Sequence, residues 1–289
     1  YLSLLRKYID EVARPTEETP TAIWQRLQIE CKKFGFVCPP SLPYSYIVPK
    51  LHKLDLHRAK SRLIAGKSKR NVVNNDVSCT TDLGSALSPM SSAFAKILNG
   101  LIDLLIVADV KRKIKLCWII RTTDEFVDIY GSFPAHLLRT VDFTTMYTQL
   151  PHSDLIDTVR KVLHEDVAEI LAAKFDMSPV DAVTKIFIAP AKEKVVYSTE
   201  RHGWNIAELS RAVEVIVSNA IFMNWGTTYK QCSGIPAGNE MSPPLANIYL
   251  FQKEKEYVKR KINEIGEDQV IQRYHGFKYH LRYIDDIIA

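Results

Sequence analysis

Apolar positions along the chain follow two periodicities, and capping residues mark where one gives way to the other. Ser88-Pro89 supplies an N-cap and a first-turn proline, and Phe94, Ile97, Leu98, Leu101, Ile102 and Leu105 follow at helical spacing. The same Ser-Pro device recurs at Ser178-Pro179 and Ser242-Pro243. Asn205 with Glu208 forms a capping-box start for a helix burying Leu209, Val213, Ile216, Val217 and Ile221. After Pro151, Ser153 is placed to cap a helix with Leu155, Ile156, Val159, Val162 and Leu163 on one face. Strand patterns are shorter: Leu138 to Phe143, Lys194 to Ser198, and Phe277 to Ile288. In the last, Phe277, Tyr279, Leu281 and Tyr283 alternate with Lys278, His280 and Arg282. Residues 1 to 40 read as mainly helical. Helices and strands mix without regular βαβ alternation, so the predicted class is α+β.

At 289 residues and 46% hydrophobic content, the chain can bury one large core or two smaller ones. The longest apolar stretch is interrupted by Asn99, Gly100 and Asp103, so no membrane span is expected. The start at Tyr1, followed by Arg6, Lys7 and Asp10, does not read as a secretory leader, and with the abrupt end at Ala289 it suggests a piece of a longer protein. The five cysteines are odd in number and contain no C-x-x-C pair, so reduced thiols are expected.

The net charge of +5 is modest, but its distribution is uneven. Lys50, Lys53, Arg58, Lys60, Arg62, Lys67, Lys69 and Arg70 face a single acid, Asp55, within one stretch. A solvated basic loop accounts for such a run. Interleaved Leu51, Leu54, Leu56, Leu63 and Ile64 suggest instead a structured hairpin, whose natural partners are backbone phosphates or a nucleoside triphosphate.

Arg282-Tyr283-Ile284-Asp285-Asp286-Ile287-Ile288 places two adjacent carboxylates in an otherwise apolar, β-forming run. Each resists desolvation and the two repel each other. A hairpin turn explains them structurally; a divalent cation such as Mg²⁺ explains them chemically. The second account needs another acid from a separate element. Asp142 offers one, at the polar end of a hydrophobic strand and just before a Thr144-Thr145 break, where a strand-end or capping role is the plainer alternative. Three such carboxylates can hold two metal ions for an in-line phosphoryl displacement. A third piece, Gln231 to Asn247, contains Gly234-Ile235-Pro236-Ala237-Gly238, a shaped loop whose backbone can approach a ligand. It feeds a helix on which Ala246 and Asn247 are expected to leave room for a flat base or sugar.

In this order the pieces resemble the palm of reverse transcriptases: motif A at Asp142, motif B from Gln231 to Asn247, and motif C at Tyr283-Ile284-Asp285-Asp286. Pro49-Lys50-Leu51-His52-Lys53 and Ser61-Arg62-Leu63-Ile64 look like fingers motifs 1 and 2. Within that family the chain is similar to the Penelope-like elements, relatives of telomerase, over about residues 43 to 289. The resemblance implies a right-hand polymerase fingers and palm, with an antiparallel palm sheet packed on helices. Residues 1–42 would then be an N-terminal helical extension, 43–132 the fingers, and 133–289 the palm with a fingers-like insertion near 177–228. The thumb is expected to be absent from this stretch.

The implied activity is RNA-directed DNA synthesis, adding dNTPs to a primer 3′ end with two Mg²⁺ ions, for which Mn²⁺ could substitute. Asp142 and Asp285 are the implied principal metal ligands, with Asp286 supporting and the Phe143 carbonyl as a further ligand. Arg62 matches the arginine that grips the triphosphate, joined by Lys50 or Lys53. Tyr147 occupies the position of a steric gate against a ribose 2′-hydroxyl, and Gln231 and Gly238 should line the nucleotide and template pocket. Lys67, Lys69 and Arg70 are expected to hold nucleic acid. Implied partners are an RNA template, a DNA or RNA primer and dNTPs, in an intracellular setting that is nuclear for a eukaryotic retroelement. Asn239-Glu240 departs from the small residues usual in motif B. The motif D lysine and primer grip are missing, which leaves activity of this stretch alone open. The alternative activities are RNA synthesis or untemplated nucleotidyl transfer, but RNA-dependent RNA polymerases usually carry an aspartate at the place of Tyr147 and glycine at that of Ile284. A non-catalytic RNA-binding scaffold of the same fold would have little reason to keep all three acids.

Overall fold

The structure, a computed structural model, describes residues 2–40, 42–49, 61–66, 86–131, 139–143, 149–192, 194–235, 239–284 and 286–288. Its elements begin with α1 (Leu2–Val12), β1 (Ala13–Pro15), α2 (Pro20–Lys33), β2 (Tyr44–Pro49), β3 (Ser61–Gly66), α3 (Ser88–Asp109), α4 (Thr123–Tyr130) and β4 (Thr140–Asp142). Next come α5 (His152–Val162), a π-helical turn (Leu163–Val167), α6 (Ala168–Phe175), α7 (Pro179–Lys185), β5 (Phe187–Pro190), β6 (Val195–Ser198) and β7 (Trp204–Asn205). The chain closes with α8 (Ile206–Ser218), β8 (Ile221–Asn224), β9 (Thr227–Gln231), α9 (Ser242–Ile265), α10 (Glu267–Tyr274), a 3₁₀ turn (His275–Phe277), β10 (Leu281–Tyr283) and β11 (Asp286–Ile288). The fold is mixed α+β, with three small sheets among the described residues: β1-β9-β8-β2-β3, β10-β11-β4 and β6-β5-β7. Neighbouring strands are antiparallel except β2 with β8.

The chain divides into two compact units, Tyr1–Ala95 with Tyr147–Ile156 and Arg211–Ser242, and Lys96–Met146 with Asp157–Ser210 and Pro243–Ala289. The first contains the five-stranded sheet. Its β8–β9 hairpin closes on Trp225-Gly226, both at positive φ (47° and 78°), as a two-residue turn matching strand twist requires. In α2, the Thr19 side chain accepts from the Ala22 N–H, Pro20 opens the first turn, and Ile23, Leu27 and Cys31 are buried. Gly35, at φ 82°, lets the chain turn back at the helix end, where its N–H bonds the Lys32 carbonyl. That reversal brings Cys38 to Cys31, and the two form a disulfide with a Cα–Cα distance of 6.4 Å. The expectation of reduced thiols throughout therefore fails at this pair, because a helix-end turn joins cysteines whose spacing carries no motif. Cys117 and Cys232 are free.

In the second unit, one apolar cluster joins Ile114, Trp118, Val258, Val270 and Phe277, and another joins Ile120, Tyr130 and Leu281. The predicted capping box is present in both directions: the Glu208 N–H bonds Asn205 Oδ1 and the Asn205 N–H bonds Glu208 Oε2, each at 2.9 Å. Ser178 likewise caps α7. Ile221 leaves the predicted helix and opens β8, although it is buried as expected. Ser153 does not cap α5. The helix starts at His152, so Ser153 lies inside it, and the Leu155 N–H bonds the Pro151 carbonyl at 3.0 Å.

Two further expectations change. Among the described residues, α3 alone is long and apolar enough to cross a membrane, by length and hydropathy, despite its interruptions. Phe94, Ile97, Leu98, Leu101 and Ile102 on it are each at most 1% exposed, so the protein itself covers its apolar stripe. The long strand predicted from Phe277 is shorter. Phe277 ends a 3₁₀ turn at φ 58° and stacks on Tyr274 and Trp118 at 5.1 and 5.7 Å, so aromatic packing takes it out of the strand. Only Leu281–Tyr283 and Asp286–Ile288 are extended.

Candidate catalytic hairpin

β10 and β11 form a hairpin with Tyr283 opposite Asp286, Arg282 opposite Ile287 and Leu281 opposite Ile288. On its other side β11 pairs with β4, setting Asp286 opposite Asp142, Ile287 opposite Val141 and Ile288 opposite Thr140. Register partners in an antiparallel pair occupy the same face, so Asp142 and Asp286 share one face of the sheet. Asp286 is exposed. Phe143, directly after β4, is 37% exposed. The hairpin is seated from below: Leu281 is fully buried beside Ile120 and Tyr130, with Ile288 packed against them.

The hairpin turn begins at Ile284, whose φ is 56°. A β-branched residue crowds its own backbone in the left-handed region, so this conformation needs outside support. Arg282 supplies a contact. Its guanidinium is fully buried and donates to the Ile284 carbonyl at 2.6 Å, to Asn247 Oδ1 at 2.7 Å and to the Asn247 carbonyl at 3.2 Å. Its Nε donates to Glu254, completing a buried ion pair with α9. Burial pushes the Glu254 carboxyl up, against the opposing pull of the Arg282 charge. The Arg282 main chain is also held, its N–H on the Trp118 carbonyl at 2.6 Å and its carbonyl accepting from the Ile120 N–H at 3.0 Å. A second buried cation on α9, Lys255, bonds Asp166 in the π-helical turn at 2.6 Å.

Strand alternation predicts the wrong face here. It groups Arg282 with the polar positions and Tyr283 with the apolar ones, but Arg282 is 0% and Tyr283 47% exposed. Ala246 and Asn247 are buried as well, at 0% and 6%, and Asn247 bonds Arg282, so neither leaves open room for a base. Sequence reasoning missed that Arg282 and Glu254 support this hairpin, and it expected Asn247 in another role. The signal was an arginine beside the acid pair in an apolar strand, where a buried cation demands partners.

Of the other expected residues, Arg62 and Gln231 lie in the first unit. Arg62 lies in β3, opposite Val48. Gln231 ends β9, is 7% exposed, and donates to the Ser233 carbonyl at 2.8 Å. The loop after it is tied down: the Gly234 N–H bonds the Leu150 carbonyl at 2.6 Å, and His152 Nε2 donates to the Gly234 carbonyl at 2.9 Å. Burial lowers the pKa of His152. Asn239, which departs from the expected pattern, accepts from the Met241 N–H at 2.9 Å through its side chain and from the Ser242 N–H at 3.0 Å through its carbonyl, turning the chain into α9. Asp285, Lys50, Lys53, Lys67, Lys69, Arg70, Tyr147 and Gly238 lie outside the described residues, as does the side chain of Asp142. Among the described residues no group of three or more His, Cys, Asp or Glu is gathered for a metal.

No protein-family model matches the chain, and no curated protein matches it in sequence. The fold is similar to that of an apo telomerase from Candida tropicalis truncated from its C-terminal domain, with a TM-score of 0.55 and 12% identity over 99% of this chain and 47% of that one. An apo telomerase from the same organism and a telomerase from Candida albicans in complex with a TWJ fragment of telomeric RNA give TM-scores of 0.48 and 0.47. Their identities are 12% and 13%, over 99% of this chain and 46% of theirs. The likeness to the first of these shows a telomerase-like fold. The chain spans about half the length of the solved structures it matches.

Proposed function

We propose that this chain is the fingers-and-palm part of a reverse transcriptase, related to the Penelope-like elements, that extends a primer on an RNA template. The observation that supports it most is the register of Asp142 against Asp286 on adjacent strands of a telomerase-like fold. Two carboxylate residues directly opposite each other are unfavourable by themselves and are explained by a shared cation. The donors are all hard oxygens: Asp142, Asp285, Asp286 and the Phe143 carbonyl. This set suits Mg²⁺, and in this reading those residues hold two such ions. Ions held by these residues would supply activation of a primer hydroxyl and charge stabilisation for the departing phosphate.

The chain's own residues do the rest. Arg62, with Lys50 or Lys53, grips the triphosphate through a charge-assisted fork. Tyr147 excludes a 2′-hydroxyl by steric contact. Gln231 and Gly238 border the nucleotide through the loop backbone, and Lys67, Lys69 and Arg70 neutralise template phosphates. Residues 43–132 serve as fingers and 133–289 as palm.

The test is primer extension on an RNA template, comparing dNTPs with rNTPs in wild type, Asp142→Asn and Tyr147→Ala. Asp142→Asn should abolish extension, and Tyr147→Ala should lower the dNTP-to-rNTP ratio of kcat/KM. Equal use of both nucleotides by the wild type would remove the case for DNA synthesis.

A further inference from the structure

We infer that Arg282 is a positioning residue that sets the Ile284 turn, and with it the start of β11 at Asp286, by fastening the turn to α9. The consequence for metal binding rests on the reverse-transcriptase reading; the mechanical role does not. Three observations carry it. First, a fully buried guanidinium is costly and persists only when its donors are matched, and here they reach Glu254, Asn247 and Ile284 at once. Second, Asn247 and Glu254 stand two turns apart on α9, so one helix face presents both acceptors to one planar fork. Third, the third acceptor is the carbonyl of a β-branched residue at φ 56°, a conformation that relaxes unless held.

Glu254 matches the charge and Asn247 takes two further donor bonds, both from α9; the Ile284 contact extends the same guanidinium to the turn. Its acceptor lies two residues further along the chain, just past the end of β10, and belongs to the turn rather than the core. The main-chain bonds of Arg282 to Trp118 and Ile120 fix the other end of the lever, so the guanidinium cannot drift with the turn.

The test uses two variants of the chain. Arg282→Met combined with Glu254→Leu removes both buried charges together and so strands neither. Arg282→Lys keeps the charge and loses the fork. Thermal melting reports folding, amide exchange reports residues 281–288, and Mn²⁺ titration followed by the free-ion resonance signal reports metal affinity. Both variants should melt cooperatively, exchange faster in the hairpin than wild type with α6 unchanged, and bind Mn²⁺ about tenfold to a hundredfold more weakly. Wild-type hairpin exchange in either folded variant overturns the positioning role. If wild type binds no Mn²⁺, or Asp142→Asn binds it as tightly as wild type, the metal reading falls, and the exchange result still decides on Arg282.

Discussion

Asp142 and Asp286 stand directly opposite one another across the β4–β11 pairing, although half the chain separates them. Like charges at opposed positions on one sheet face destabilise it by roughly 0.2–1 kcal/mol relative to a neutral pair. Without divalent cations, Asp142→Asn or Asp286→Asn should therefore leave melting unchanged or raise it slightly. With Mg²⁺ at about a hundred times its Kd, wild type should gain about 2.7 kcal/mol and the variants much less. Melting curves with chelator and with Mg²⁺ check this; equal gains in all three proteins would show that these acids hold no metal.

The reciprocal bonds of Asn205 and Glu208 make the start of α8 a measurable contributor. Asn205→Ala should cost about 1 kcal/mol in urea unfolding, while Asn205→Asp, which keeps the accepting oxygen, should cost much less. Equal losses would mean that the cap bond is not what matters at this position.

The Cys31–Cys38 bridge closes a short loop, with a sequence separation of 7. Chain-entropy arguments give such a loop about 2 kcal/mol, so dithiothreitol should lower the melting temperature of wild type and not that of Cys31→Ala/Cys38→Ala. A non-reduced digest lacking the linked peptides would rule the bridge out.

Acid should weaken the fold through two half-buried histidines. Burial lowers the pKa of His152, bonded to the Gly234 carbonyl, and of His164, which contacts the Ser210 hydroxyl at 3.0 Å. In both, the unfolded chain binds protons that the native state refuses, so stability is full above the ordinary value of 6.5 and falls as pH drops below it toward the lowered native pKa. His152→Gln/His164→Gln should flatten the decline of melting temperature below neutral pH. An unchanged slope would place the acid sensitivity elsewhere.

Local physics made much of this chain legible. A cap satisfies helix-end N–H groups within four residues, so Ser178-Pro179 and the Asn205–Glu208 box announced α7 and α8 correctly. Helical spacing from Phe94 to Leu105 marked a stripe that is buried throughout. Patterning over a strand was less informative, because period-two alternation tells only that two faces differ. At Arg282 and Tyr283 it chose the wrong one, and at Phe277 it mistook a turn for a strand.

By itself, the sequence determined the mixed α+β class, the helix starts that carry their own caps, and which acids to suspect. Those depend on interactions between residues a few positions apart, or on residue chemistry alone. Only the tertiary structure decided that β4 lies beside β11, so that Asp142 meets Asp286. It alone decided that Arg282 points into the protein. A lone arginine belongs in water, and α9 brings Asn247 and Glu254 to the place where its charge and donors can be matched in the interior.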